Sequence, residues 1–121
     1  MTNSILNSTK KILGIAAEYK AFDLDIITHI NSVFATLQQL GVGPVEGFMI
    51  DDEFPEWDAF LDGNVPLNQV KTYVFMRTKL VFDPPPNSFG ISSMNDQIKE
   101  MEWRMMVLVD PPVVSTSTEL L

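Results

Sequence analysis

Apolar residues recur along this chain at the three-and-four spacing of amphipathic helices, and glycine or proline interrupts that spacing at a few points. Ile5, Leu6, Thr9, Ile12 and Leu13 share one face of a short first helix, with Ser4 or Asn3 as its cap and Gly14 as its stop. Lys10 and Lys11 fall on the opposite, polar side. Residues 15–22 carry no clear period and read as a connection with room for one helical turn over 16–19. The strongest stripe follows over residues 24–40, where Ile26, Ile27, Ile30, Val33, Phe34, Leu37 and Leu40 line up. Asp23 is its expected cap and Gly41 its end, while Asp25, His29, Ser32, Thr36 and Gln39 occupy the other face. A helix this one-sided belongs at the edge of a bundle or in an interface between subunits.

Residues 42–64 break the pattern. Gly43, Pro44 and Gly47 punctuate the stretch, Phe48 to Ile50 offers at most one short strand, and Trp57, Phe60 and Leu61 share a face of a helical turn or two before Gly63. Long connections of this kind are usually functional, and their aromatic residues point to docking. Phe54, Trp57 and Phe60 are therefore the candidate docking residues, against this chain's own body or a neighbouring subunit. A third helix is expected over 66–82, capped by Asn64, with Val70, Tyr73, Val74, Leu80 and Val81 buried; residues 72–75 would also suit a strand, but the apolar positions do not alternate by twos. Pro84, Pro85 and Pro86 stop that helix. The last helix, over 88–109, sets Ile91, Met94, Ile98, Met101, Met105 and Leu108 on a heptad-like seam, with Glu100 and Arg104 one turn apart on its exposed side. Such a methionine-rich seam either fills the core or mediates self-association.

The predicted fold class is therefore all-α: a small helical bundle of about four helices with a long acidic loop and an extended C-terminal arm. One domain over residues 1–110 suits a chain of 121 residues. Residues 111–121 are expected to be either an extended arm that adds along a partner or a disordered terminus. Pro111 and Pro112 end the last helix, and Pro111, Pro112, Val113, Val114, Leu120 and Leu121 are candidate partner-binding residues, since an extended segment can add along a neighbouring protein.

Charge and missing chemistry narrow the function. The net charge is −8, and Glu46, Asp51, Asp52, Glu53, Glu56, Asp58 and Asp62 lie in one stretch without a Lys or Arg. That surface repels phosphate backbones, so the chain is a poor grip for nucleic acid, although an acidic wall lets DNA slide past. Asp51, Asp52, Glu53, Glu56 and Asp58 are read as an acidic surface or channel lining; they lack the alternating pattern of a calcium loop. There is no cysteine and a single histidine, His29, with no partner motif around it. No phosphate-binding glycine loop or nucleophile elbow occurs. The expectation is a non-enzymatic protein with no cofactor and no metal. No apolar run reaches membrane-spanning length and no signal-peptide core opens the chain, so a soluble protein made in the cytoplasm is expected.

Several segments resemble one family as a set: NSILNSTKKILG over 3–14, FDLDIITHINSVF over 22–34, QQLGVGP over 38–44, WDAF over 57–60, VKTYV over 70–74, FDPP over 82–85 and EMEWR over 100–104. Together they resemble the small head-to-tail connector, or adaptor, proteins encoded beside the portal and capsid genes of long-tailed phages and prophages of Gram-positive bacteria. The resemblance covers residues 3–104 and rests on structural residues. It implies a helical subunit of a homo-oligomeric ring, commonly twelvefold, that sits in the virion between head and tail. Its implied partners are the portal protein and a stopper or tail-terminator ring protein, and DNA passes through without specific binding. It implies synthesis in the host cytoplasm and no membrane partner. Two alternatives stand beside it: a tail-terminator or stopper ring protein, which would more often be β-rich, and an acidic phage-encoded regulator of a host protein.

Overall fold

The computed structural model describes residues 4–60 and 67–109, and for Leu67 the backbone only. Five helices account for about two thirds of these residues: α1 (Ile5–Ile12), α2 (Asp23–Gln39), α3 (Trp57–Phe60), α4 (Leu67–Phe82) and α5 (Ser88–Val109). Among the described residues there is no strand, only a bridge between Ser4 and Glu56. The all-α bundle is the fold, and α3 is the helical turn expected after Pro55.

Both glycine stops work through the same device. Gly14 and Gly41 take positive φ, at 78° and 85°. At the end of α1 the amide of Gly14 donates to the carbonyl of Lys11 and that of Ile15 to Lys10; at the end of α2 Gly41 donates to Gln38 and Val42 to Leu37. Each pair is a Schellman motif, which satisfies the last carbonyls of a helix and needs a left-handed residue that glycine supplies without strain. Ser4 caps α1, its hydroxyl accepting from the amide of Asn7 at 3.1 Å.

The central helix is α4, which packs against all four others, while α1 and α2 also pack on each other. The stripe of α2 supplies Ile26, Ile30, Val33, Phe34 and Leu37 to the core, all 1% exposed or less. α4 adds Val70, Tyr73 and Val74, and the α5 seam adds Ile98 and Met105, with Met101 packed against them. Each fully buried aliphatic or aromatic side chain contributes roughly 1.5–3 kcal/mol. Met101 and Met105 of the seam thus pack into the chain's own core.

Five local expectations give way. Lys10, placed by its spacing on the polar side of α1, is fully buried, because residues 15–22 fold back over it and supply polar partners. Asp23 is the first residue of α2 rather than its cap; Phe22 holds that position without a side-chain hydrogen bond, and the Asp23 carboxylate turns to Lys10. Val81 keeps the phase of its stripe but lies 58% exposed in the last turn of α4, where only the proline turn follows. Leu108 is half exposed and Val109 takes its place, its side chain meeting the end of α2 at Gly41. The short strand around Phe48–Ile50 does not form either: the Ile50 amide and carbonyl both bond to the side chain of Asn31, at 2.8 and 2.9 Å, which satisfies them as a strand partner would.

Candidate functional site

The connection from α2 to α3 is anchored along its length. Gln38 donates to the carbonyl of Val45 at 2.9 Å, Asn31 clamps Ile50, Ser4 donates to the carbonyl of Glu53, and the amide of Ile5 donates to the carbonyl of Pro55 at 3.0 Å. Phe48 and Phe60 close on Phe34, with Phe34 and Phe60 stacked at 4.7 Å. Backbone bonded in this way is preorganised, so whatever the loop presents is held in place.

It presents Phe54, which is 77% exposed. The Phe54 amide donates to Asp52 Oδ1 at 2.9 Å, a local turn that holds the backbone at this position. Across from it stands Leu24, 76% exposed in the first turn of α2. Leu6 and Ile27 floor the space between them, a groove of about 510 Å³ with Asp51, Asp52 and Glu53 on its rim. Glu53 is paired with Lys20. Asp51 and Asp52 are exposed and form no ion pair with any described residue.

A second apolar surface lies where α2 ends. Leu40, Trp103 and Met106 line a hollow of about 290 Å³, and Trp103 projects from it with 63% of its surface exposed. Large exposed aromatics beside other apolar side chains mark interaction sites.

The interior polar groups hold the bundle together. Tyr73, fully buried on α4, donates its hydroxyl hydrogen to Glu102 Oε2 on α5 at 2.6 Å and accepts from Arg77 Nη1 at 2.9 Å. Burial, reinforced by the hydrogen bond to Glu102, pushes the Tyr73 hydroxyl up to about 12 from its ordinary 10. The folded state thus binds this proton more tightly than the unfolded state does. Its stabilising contribution is complete below pH 10 and is lost as pH rises toward 12. Tyr73→Phe is expected to lower stability by about 1–2 kcal/mol at pH 8, and the gap in Tm between variant and wild type should narrow between pH 10 and 12. A gap that stays constant across that range would contradict the assignment. His29 sits half-buried edge-on to Phe82, ring centroids 5.7 Å apart. Burial holds its imidazole below the ordinary histidine range, opposed by a backbone contact with Arg77.

The sequence-derived candidates scatter. Trp57 and Phe60 point into the core and are 1% exposed, so they anchor the loop on its own chain, whereas Phe54 faces out. Asp51, Asp52, Glu56 and Asp58 are exposed and Glu53 is half-buried; among the described residues no three acidic or histidine groups are placed to hold a metal ion. Pro111, Pro112, Val113, Val114, Leu120 and Leu121 lie outside the described residues, as do Asp62 and the expected caps Asn3 and Asn64. Sequence reasoning passed over Trp103, Met106 and Leu24. Their signal was present: Trp103 sits off the α5 seam and Leu24 off the α2 stripe, large apolar residues on faces otherwise polar.

A family model described as phage connector protein matches residues 5–112, nearly the whole chain. The chain belongs to the phage connector protein family. No curated protein and no solved structure matches it. As a phage connector it has a structural, connecting role in the phage particle. Among its described residues no helix is long and apolar enough to cross a membrane. Of the connector's exposed apolar residues, Leu24 and Phe54 flank the groove at the start of α2, and Trp103 and Met106 line the hollow at its end.

Proposed function

We propose that this connector is a subunit of the ring that joins head to tail, docking on the portal and leaving an axial channel through which DNA passes to the tail. The observation that supports a ring is the pair of unlike apolar surfaces at opposite ends of α2, one a groove and one a projection. A subunit with two different complementary faces assembles head to tail, and such contacts close into a ring when the rotation between neighbours is a whole fraction of a turn. Exposed Glu56 and Asp58, outside the groove, suit a wall that DNA passes without adhering. An all-helical body weighs against the β-rich stopper alternative.

The role is assembly rather than catalysis. Of the side chains with displaced proton affinities, Tyr73 and His29 are engaged in packing between helices and Lys20 in an ion pair with Glu53, which supports that reading. Native mass spectrometry of the purified chain, alone and mixed with portal rings of the same phage, tests the proposal. A closed oligomer, free or seated on the portal, is the expected species. A chain that remains monomeric in both samples overturns it.

A further inference from the structure

The two surfaces differ in charge as well as in shape. The groove between Leu24 and Phe54 carries Asp51 and Asp52, neither paired with a described cation, since nearby Lys20 is committed to Glu53. The projection carries Lys99, exposed one helical turn before Trp103 and so on the same side of α5. Arg104, also adjacent, is committed to Glu100, whereas Lys99 pairs with no described carboxylate. One end of the subunit thus offers an apolar cleft with acids, and the other an exposed indole with a lysine, none of them in an ion pair among the described residues.

These surfaces cannot meet within one chain. Leu24 lies in the first turn of α2 and Leu40 just past its last, a separation of roughly 24 Å at 1.5 Å per residue. A two-fold dimer that pairs each groove with the other copy's projection would use up both surfaces at once, whereas a ring divides them between two different neighbours. A translation or rotation that brings the end of one subunit to the start of the next matches apolar to apolar and base to acid.

We propose that Trp103 of one subunit seats in the Leu24–Phe54 groove of the next copy, with Lys99 set against Asp51 and Asp52. This rests on the ring reading above and names its contact. Tryptophan dominates interfaces of this kind, since a buried indole supplies large area at small entropic cost.

Native mass spectrometry and sedimentation of the full chain, free and on portal rings, test the contact. Trp103→Ala and Phe54→Ala, both at exposed positions, should keep the wild-type helical spectrum and raise the concentration needed for assembly at least tenfold. Lys99→Glu should do the same, and adding Asp51→Lys in the same chain should restore assembly. A mixture of Trp103→Ala with Phe54→Ala chains should yield dimers, since one intact contact forms between them, but no closed ring. If wild type assembles and these variants assemble equally well, or the charge exchange restores nothing, the contact is wrong. Variants that form normal rings yet fail only to bind the portal would assign the groove to the portal and overturn the proposal. A wild-type chain that never oligomerises, even on portal rings, instead removes the ring reading itself.

Discussion

Trp57→Ala is expected to destabilise the connector by about 3–5 kcal/mol, the range for deleting a large buried aromatic. The indole is 1% exposed and lies edge-on to Phe34 at 6.5 Å and to Phe75 at 5.7 Å, so it ties α2 and α4 to the start of α3. Its Nε1 donates to Ser8 Oγ on α1 at 2.9 Å. One side chain therefore joins three helices to the loop, and alanine would leave a cavity walled by rigid rings. Against a total stability of roughly 5–15 kcal/mol, the loss brings the fold near its threshold. Thermal unfolding followed by circular dichroism should show Tm lower by on the order of 15 °C. Trp57→Phe keeps most of the ring packing and loses the bond to Ser8, so its cost should be about 1–2 kcal/mol. If the alanine variant melts within a few degrees of wild type, Trp57 is not the joint described here. The effect extends to assembly, because the loop that presents Phe54 is pinned immediately before this tryptophan.

Lys10→Ala should cost about 3 kcal/mol, whereas Lys11→Ala should change stability by less than about 0.5 kcal/mol. The neighbouring lysines differ only in where the chain has gone around them. Lys10 is fully buried; its ammonium donates to the carbonyls of Ala17 and Tyr19 at 3.1 and 2.6 Å and lies 2.7 Å from Asp23 Oδ1. The two carbonyls take its directed hydrogen bonds, and the carboxylate balances its charge. Removing the lysine strands a largely buried carboxylate and two carbonyls at once. The lower end of the buried-pair range applies because the Asp23 side chain keeps 20% of its surface in water. Hydrogen exchange should locate the damage, with protection lost in residues 13–23 while the centre of α4 stays protected. Chemical denaturation of the two single variants gives the direct comparison, and equal losses for Lys10→Ala and Lys11→Ala would refute the role assigned to the buried ammonium. Asp23→Asn, alone and with Lys10→Ala, completes a cycle whose coupling should exceed about 1 kcal/mol.

Helix positions were legible because they rest on local rules. Stripes at three-and-four spacing, glycines that close α1 and α2, and prolines around α4 and α5 all act within a few residues of themselves. The candidate surfaces were less so. Trp57 and Phe54 sit three residues apart in one loop with similar composition around them, yet one is buried and the other is not. Their fates depend on contacts with Ser8 and Asn31 and on the bond from Ile5 to Pro55, partners tens of residues away. No spacing rule encodes such partners.

Family membership, acidic balance, helical class, the start and stop of α1 and the stop of α2 were thus contained in the chain itself, since propensity, periodicity and glycine stops are short-range and survive without a partner. Which polar group is buried, which aromatic faces outward and where the unpaired charges fall came only with the tertiary structure. Lys10 shows the reason most directly: a helical period places a side chain on a face, but only the path of the rest of the chain decides whether that face meets water or two carbonyls and a carboxylate.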